Sequence, residues 1–138
     1  MPIVANDTQH YSNVVKREFS PEWGYCKKVV TVNGPAASIT IGTVLGLVTA
    51  TGKYKVCETS AADGSQVAAV VVVGDAMGHP LTTTMANATD TKFLVIYRGP
   101  VAVSDTSLTF GASVTPGANL VAAQAQLVAA GIDVLTTL

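Results

Sequence analysis

Residues 67–73 form an unbroken apolar run of seven, and its last four residues are all valine. β-branched side chains are stiff in a helix and pack well on a pleated sheet. Successive side chains of a strand point to opposite faces. A run that is apolar at every position therefore predicts a strand covered on both faces, not one with a wet side. Left uncovered, the same segment would be an aggregation hazard.

The rest of the chain repeats the signal in weaker form. Residues 26–32 are rich in valine and end at Asn33-Gly34-Pro35, a turn by composition. Ser38-Ile39-Thr40-Ile41 alternates polar with apolar. Residues 43–50 predict the next strand, closed by Thr51-Gly52, and 53–57 return as its hairpin partner. Asp63-Gly64 marks another turn ahead of the valine run. Residues 74–90 are weakly patterned and predict loops with one short strand near 81–84. Residues 92–98 predict a strand with both faces covered, broken by Gly99-Pro100. Short strands are expected at 101–103 and 107–110. One helix follows: Thr115 is its expected N-cap and Pro116 its first residue, where a missing N–H costs nothing. Leu120, Val121, Leu127 and Val128 recur at helical spacing, with alanines between them. Gly131 stands where a left-handed cap belongs, and 132–135 alternate into a last strand. The expected class is mainly β with one C-terminal helix, a β-rich α+β fold without internal repeats.

A length of 138 residues fits one domain. Charged residues make up only 12% of the chain and hydrophobic ones 49%, against roughly 25% charged in ordinary soluble domains. A neutral Ser, Thr, Asn and Gln surface accounts for part of this. The rest points to surface covered by other chains, because interface cores are depleted in charge. The net charge of -1 offers no excess of cations for phosphates, so nucleic acid is not an expected partner. Nor is there a polybasic stretch for a membrane surface, and no apolar run reaches the roughly 18 residues needed to span a bilayer. The first residues, Met-Pro-Ile-Val-Ala-Asn-Asp, lack a basic region followed by an apolar core, which predicts synthesis and folding in a cytoplasm. Cys26 and Cys57 are too few for a disulfide framework and are read as free, half-buried thiols.

Residues 1–23 differ from the body at 24–138. They are polar, without a clean period, and apolar residues are scattered among them. Such a segment cannot bury enough area alone to offset its ordering entropy. It is either a frayed tail or an arm that orders on a partner. The arm reading takes Ile3, Val4, Tyr11, Val14, Val15 and Phe19 as anchors and Trp23 as the hinge to the body; Trp23 also reads as a plain core residue.

Catalytic and metal-binding patterns are missing. His10 and His79 are the only histidines, and no CxxC or HExxH occurs. Asp75 and His79 are close in sequence, but a loop Asp and His are more often solvated than paired. A phosphate loop needs four residues between its glycine and the Gly-Lys pair; the interval from Gly46 to Gly52-Lys53 holds five, and Tyr54 replaces the Ser or Thr. GxGxxG and GxSxG are absent, and Gly42 to Gly46 matches GxxxG only in a strand context. Asp63, Asp90, Asp105 and Asp133 read as solvated acids at turns and strand ends. No enzymatic activity, cofactor or metal is expected.

Several strings, in order, carry a resemblance: Gly42-Thr43-Val44-Leu45-Gly46-Leu47-Val48-Thr49, Gly52-Lys53-Tyr54, Asp63-Gly64-Ser65-Gln66 before the valine strand, Arg98-Gly99-Pro100-Val101 after a β-run, and the helix-then-strand ending over 120–134. Together they span roughly residues 40 to 135, most of the chain, and resemble the head decoration protein family of tailed phages, typified by the lambda protein. The resemblance implies a compact β-rich fold with minor helix, a homotrimer, and seating at three-fold or quasi-three-fold positions on the outer surface of an expanded head, with the major capsid protein as partner. It also implies an N-terminal arm that pairs with capsid strands, and no catalytic residues. Two other readings share the composition: another phage structural part (tail tube, head completion or fibre base), or a small ligand-binding β-barrel or enzyme. The last needs a pocket with converging polar groups, for which few charged pairs, His or Cys are at hand.

Overall fold

The computed structural model describes residues 14–18, 26–33, 37–75, 83–85, 89–104, 108–111, 113–114 and 117–135. In chain order its elements are β1 (Val15–Glu18), β2 (Lys27–Val32), β3 (Ala37–Ile39), β4 (Val44–Val48), β5 (Lys53–Val56), β6 (Val70–Asp75), β7 (Thr83–Met85), β8 (Thr91–Ile96), β9 (Val101–Ser104), α1 (Ala118–Ala129) and β10 (Ile132–Leu135). The protein is mainly β with one C-terminal helix, as expected.

Five strands close a barrel in the order β2-β5-β4-β6-β8. Its inside is filled by Val30, Val32, Ile39, Leu45, Val70, Val72, Phe93 and Val95. A second core lies on the other face of the same strands. There Val44, Val71, Val73 and Ile96 meet Val101 and Val103 from β9, Ala123 and Leu127 from α1, and Ile132 from β10. The valine run thus has two covered faces because the strand is shared between two cores. Val70 and Val72 point into the barrel, Val71 and Val73 into the second core, and all four are 2% exposed or less. Val73 is also the extra residue of a bulge: Val72 pairs with Val95 and Gly74 already with Leu94. The run starts later than its apolar composition, since Val67 precedes β6 and is exposed.

The second core is roofed by a three-stranded sheet in the order β1-β9-β10. β10 runs parallel to β9. Parallel neighbours need a crossover rather than a tight turn, and α1 is that crossover. Gly99 and Gly131 allow the two strand entries to approach: a Cβ on Gly99 would fall on the Gly131 carbonyl. β3 and β7 form a separate antiparallel pair, which places the expected short strand near 81–84 at Thr83–Met85. The strand expected at 107–110 is, among the described residues, a single bridge between Thr109 and Thr43.

The helix begins later than the sequence predicts. Gly117 is its N-cap, with φ of 112° and no side-chain cap, while Thr115 and Pro116 lie outside the described residues. A positive φ at Gly117 takes the backbone out of the helical region, so the helix cannot extend back through it. The other end matches expectation: Gly131 has φ of 92° and donates its N–H to the Val128 carbonyl at 2.9 Å.

Candidate interaction surfaces

Helix α1 carries no acidic residue in its first turn and no basic one in its last; its sequence, ANLVAAQAQLVA, has no charge at all. One face is held in the second core by Ala123 and Leu127, with Leu120 packed beside them. The opposite face consists of Ala118, Val121, Ala122, Ala125, Val128 and Ala129, and each is exposed. These positions recur at intervals of three and four, so they form one stripe along the helix. Val121 is 64% and Val128 49% exposed. The helix is therefore apolar on both sides and buried on one. Helical spacing sets Leu120, Val121, Leu127 and Val128 together in the sequence; the structure sends the leucines inward and the valines outward. A signal was present: a solvent-facing helix surface ordinarily carries charged and polar residues.

The stripe is built on a stiff base. Behind α1, the Gln126 side-chain carbonyl accepts the Ala68 N–H at 2.8 Å and so fastens the helix to the start of the valine run. Ahead of it, Glu58 accepts from both the N–H and the hydroxyl of Ser113, at 2.9 and 2.8 Å. Ser113 in turn accepts from the Asn119 side chain through its carbonyl. The outer face is presented by a helix fixed at both ends.

Of the expected arm anchors, Val14 and Val15 are described. They are 0% and 7% exposed and belong to the second core, and β1 pairs antiparallel with β9. Their side chains are packed within their own chain. Ile3, Val4, Tyr11, Phe19 and Trp23 lie outside the described residues. The sequence had no local signal for this burial, because residues 14–18 alternate poorly and their partner strand is more than eighty residues away.

The remaining chemistry is structural. Both cysteines are buried thiols outside any disulfide. The Cys57 thiol donates to the Gln66 carbonyl at 3.7 Å, and burial, helped by the neighbouring Glu58, raises its pKa to about 11. The Asp63 carboxylate is held well below the usual carboxylate range by hydrogen bonds from Lys55 and from the side chain and backbone of Ser65. Asp90 is lowered by hydrogen bonds from Asn33 and then Lys53. Both acids are turn staples. Among the described residues, no cluster of three His, Cys, Asp or Glu side chains forms a metal site, and no helix is long and apolar enough to cross a membrane.

A two-core β-barrel backed by a helix with an uncharged, exposed face defines a class of small β-rich protein. The comparison with protein families is specific within that class: residues 6–132 match the model of Bacteriophage lambda head decoration protein D. The chain belongs to this family of phage head decoration proteins, and it is a structural, non-enzymatic component of the capsid surface. No curated protein matches it.

Proposed function

We propose that the protein acts as a homotrimer that clamps the outside of the expanded head, with the outer face of α1 at the contact between copies and the first thirteen residues reaching onto the major capsid protein. The uncharged stripe on α1 is the observation that carries the self-association. Alanines allow close approach of a second surface, and Val121 and Val128 supply area worth about 25 cal/mol per Å2 before association costs. Membership of the decoration family supports the shell as partner, and the threefold stoichiometry is part of the proposal.

The arm gains from the way it is rooted. With Val14 and Val15 fixed in the core, Ile3, Val4 and Tyr11 ahead of them are tethered to a rigid body. Three such tethers on one trimer bind with a high effective concentration even where each contact is modest. Bridging neighbouring capsomers is how such a clamp stabilises a shell.

Two measurements test this reading. Sedimentation velocity at micromolar concentration is expected to give a trimer, and the double variant Val121→Glu, Val128→Glu a folded monomer. A wild-type monomer, or a variant that stays trimeric, defeats the assignment of the α1 face. Deleting residues 2–12, which spares β1, is expected to leave the trimer intact and abolish binding to empty expanded heads; unchanged affinity defeats the arm.

A further inference from the structure

The barrel closes through one weak seam. β2 and β5 are joined by a single parallel pair, Val32 with Tyr54, whereas β2 meets β8 over six pairs. Alternate residues of a strand turn their amide groups to opposite neighbours. The Asn33 N–H donates to the Tyr54 carbonyl, so the odd-numbered residues of β2 face the seam. Tyr97 donates to the Cys26 carbonyl, so the even-numbered ones face β8. Val29 therefore directs its N–H and C=O into the seam, where nothing among the described residues pairs with them. Its side chain is 47% exposed.

Among the described residues the seam is unpaired at this end and stapled at the other. Asp90 accepts from Asn33 and from Lys53, at 3.0 Å for the latter, and so ties the end of β2 to the start of β5. Between the staple and the open end lies a groove of about 480 Å3 that includes Lys28, Val29, Thr31, Gly52 and Tyr54. Among the described residues its one carboxylate, Asp90, is already engaged. The Lys28 ammonium sits 4.7 Å from the centre of the Tyr97 ring and 5.9 Å from that of Tyr54, exposed at the barrel mouth.

We infer that this seam is a docking site for an extended segment of another protein, one that alternates acidic and apolar residues and adds as a strand along β2. The unpaired edge of Val29 provides main-chain hydrogen bonds. The alternation follows from the pleat: successive side chains of an added strand fall on opposite faces, so one set meets the exposed Val29 side chain and the other the Lys28 ammonium. The charge favours a carboxylate and rejects a lysine. This inference does not rest on the trimer or on the arm.

The test uses the full-length 15N-labelled protein and two capped pentapeptides, Glu-Val-Glu-Val-Glu and Lys-Val-Lys-Val-Lys. The acidic peptide is expected to slow hydrogen exchange at the Val29 amide and to bind at least about tenfold more tightly than the basic one, with the difference shrinking as salt is raised. Lys28→Glu is expected to invert the preference. Val29→Pro removes the seam donor but leaves the bonds to β8, and is expected to weaken the acidic peptide about tenfold; if that variant fails to fold, the Lys28→Glu inversion decides. Equal binding of the two peptides, no protection of Val29 at millimolar acidic peptide, or an uninverted preference in Lys28→Glu overturns the inference. So does protection of Val29 that needs no peptide and rises with protein concentration, which would make a second copy the occupant.

Discussion

At Gly46, in the middle of β4, a Cβ would fall on the backbone of Ser65. The Asp63-Gly64-Ser65 turn lies against the strand with no room for a methyl group. Its position is held by Asp63, which accepts from the Ser65 hydroxyl and N–H at 2.6 and 3.1 Å. Gly46→Ala must push that turn away, and we expect it to cost about 3 kcal/mol, seen as a fall in the urea midpoint; an unchanged midpoint would show that the turn yields freely. Cys57 tests burial in another way. With its pKa raised to about 11, the thiol stays protonated at neutral pH, and the thiolate is the reactive form. Native protein should resist iodoacetamide at pH 8, while urea-unfolded protein reacts at the rate of a free cysteine. The sign on stability follows. The folded value lies above the ordinary 9.0, so the unfolded chain releases this proton first, and stability falls as pH rises past about 9.

Among the elements, α1 is where local and tertiary demands part. Its inner face contributes through Leu127, which is fully buried. Leu127→Ala should cost about 3 kcal/mol, measured by chemical denaturation of the isolated protein. Its outer face should behave oppositely, with Val128→Ala nearly neutral for the stability of a dissociated subunit. A large loss there at high dilution would mean that the stripe packs inside its own chain. The helix as an element, its closing glycine and the strand after it were legible in the sequence. Which side faced the core was not, because apolar residues line both sides of it, leucines on one and valines on the other. Only contact with β10 and the second core distinguishes them.

For the whole molecule, the seam makes a pH prediction. Asp90 links β2 to β5 through Asn33 and Lys53, and its pKa is lowered by those hydrogen bonds. A carboxyl group depressed on folding stabilises fully above its unfolded value, near 3.8, and loses that contribution as pH falls below it toward the folded value. Asp63 acts in the same direction at the neighbouring turn. Both groups are exposed, so solvent screening keeps the effect small. The denaturation midpoint should be flat between pH 7 and 5 and fall below about pH 4. Asp90→Asn should start lower at pH 7 and lose less on acidification; a wild-type acid slope in that variant would remove Asp90 from the account.

The sequence by itself determined what depends on near neighbours: β-rich structure with one late helix, the turns at Thr51-Gly52 and Asp63-Gly64, a valine strand without a wet face, and the lack of a catalytic or metal-binding pattern. Those follow from the period of two along a strand, from glycine at positive φ, and from residue chemistry. Tertiary structure alone decided which neighbour covers each side. It split the valines between a barrel interior and a second core, drew Val14 and Val15 into that second core, turned Val121 and Val128 outward, and left β2 joined to β5 by one pair. Strand partners and helix facing are non-local choices, set by which distant apolar surfaces meet. Residues far apart in the chain leave no periodic trace of the face they will share.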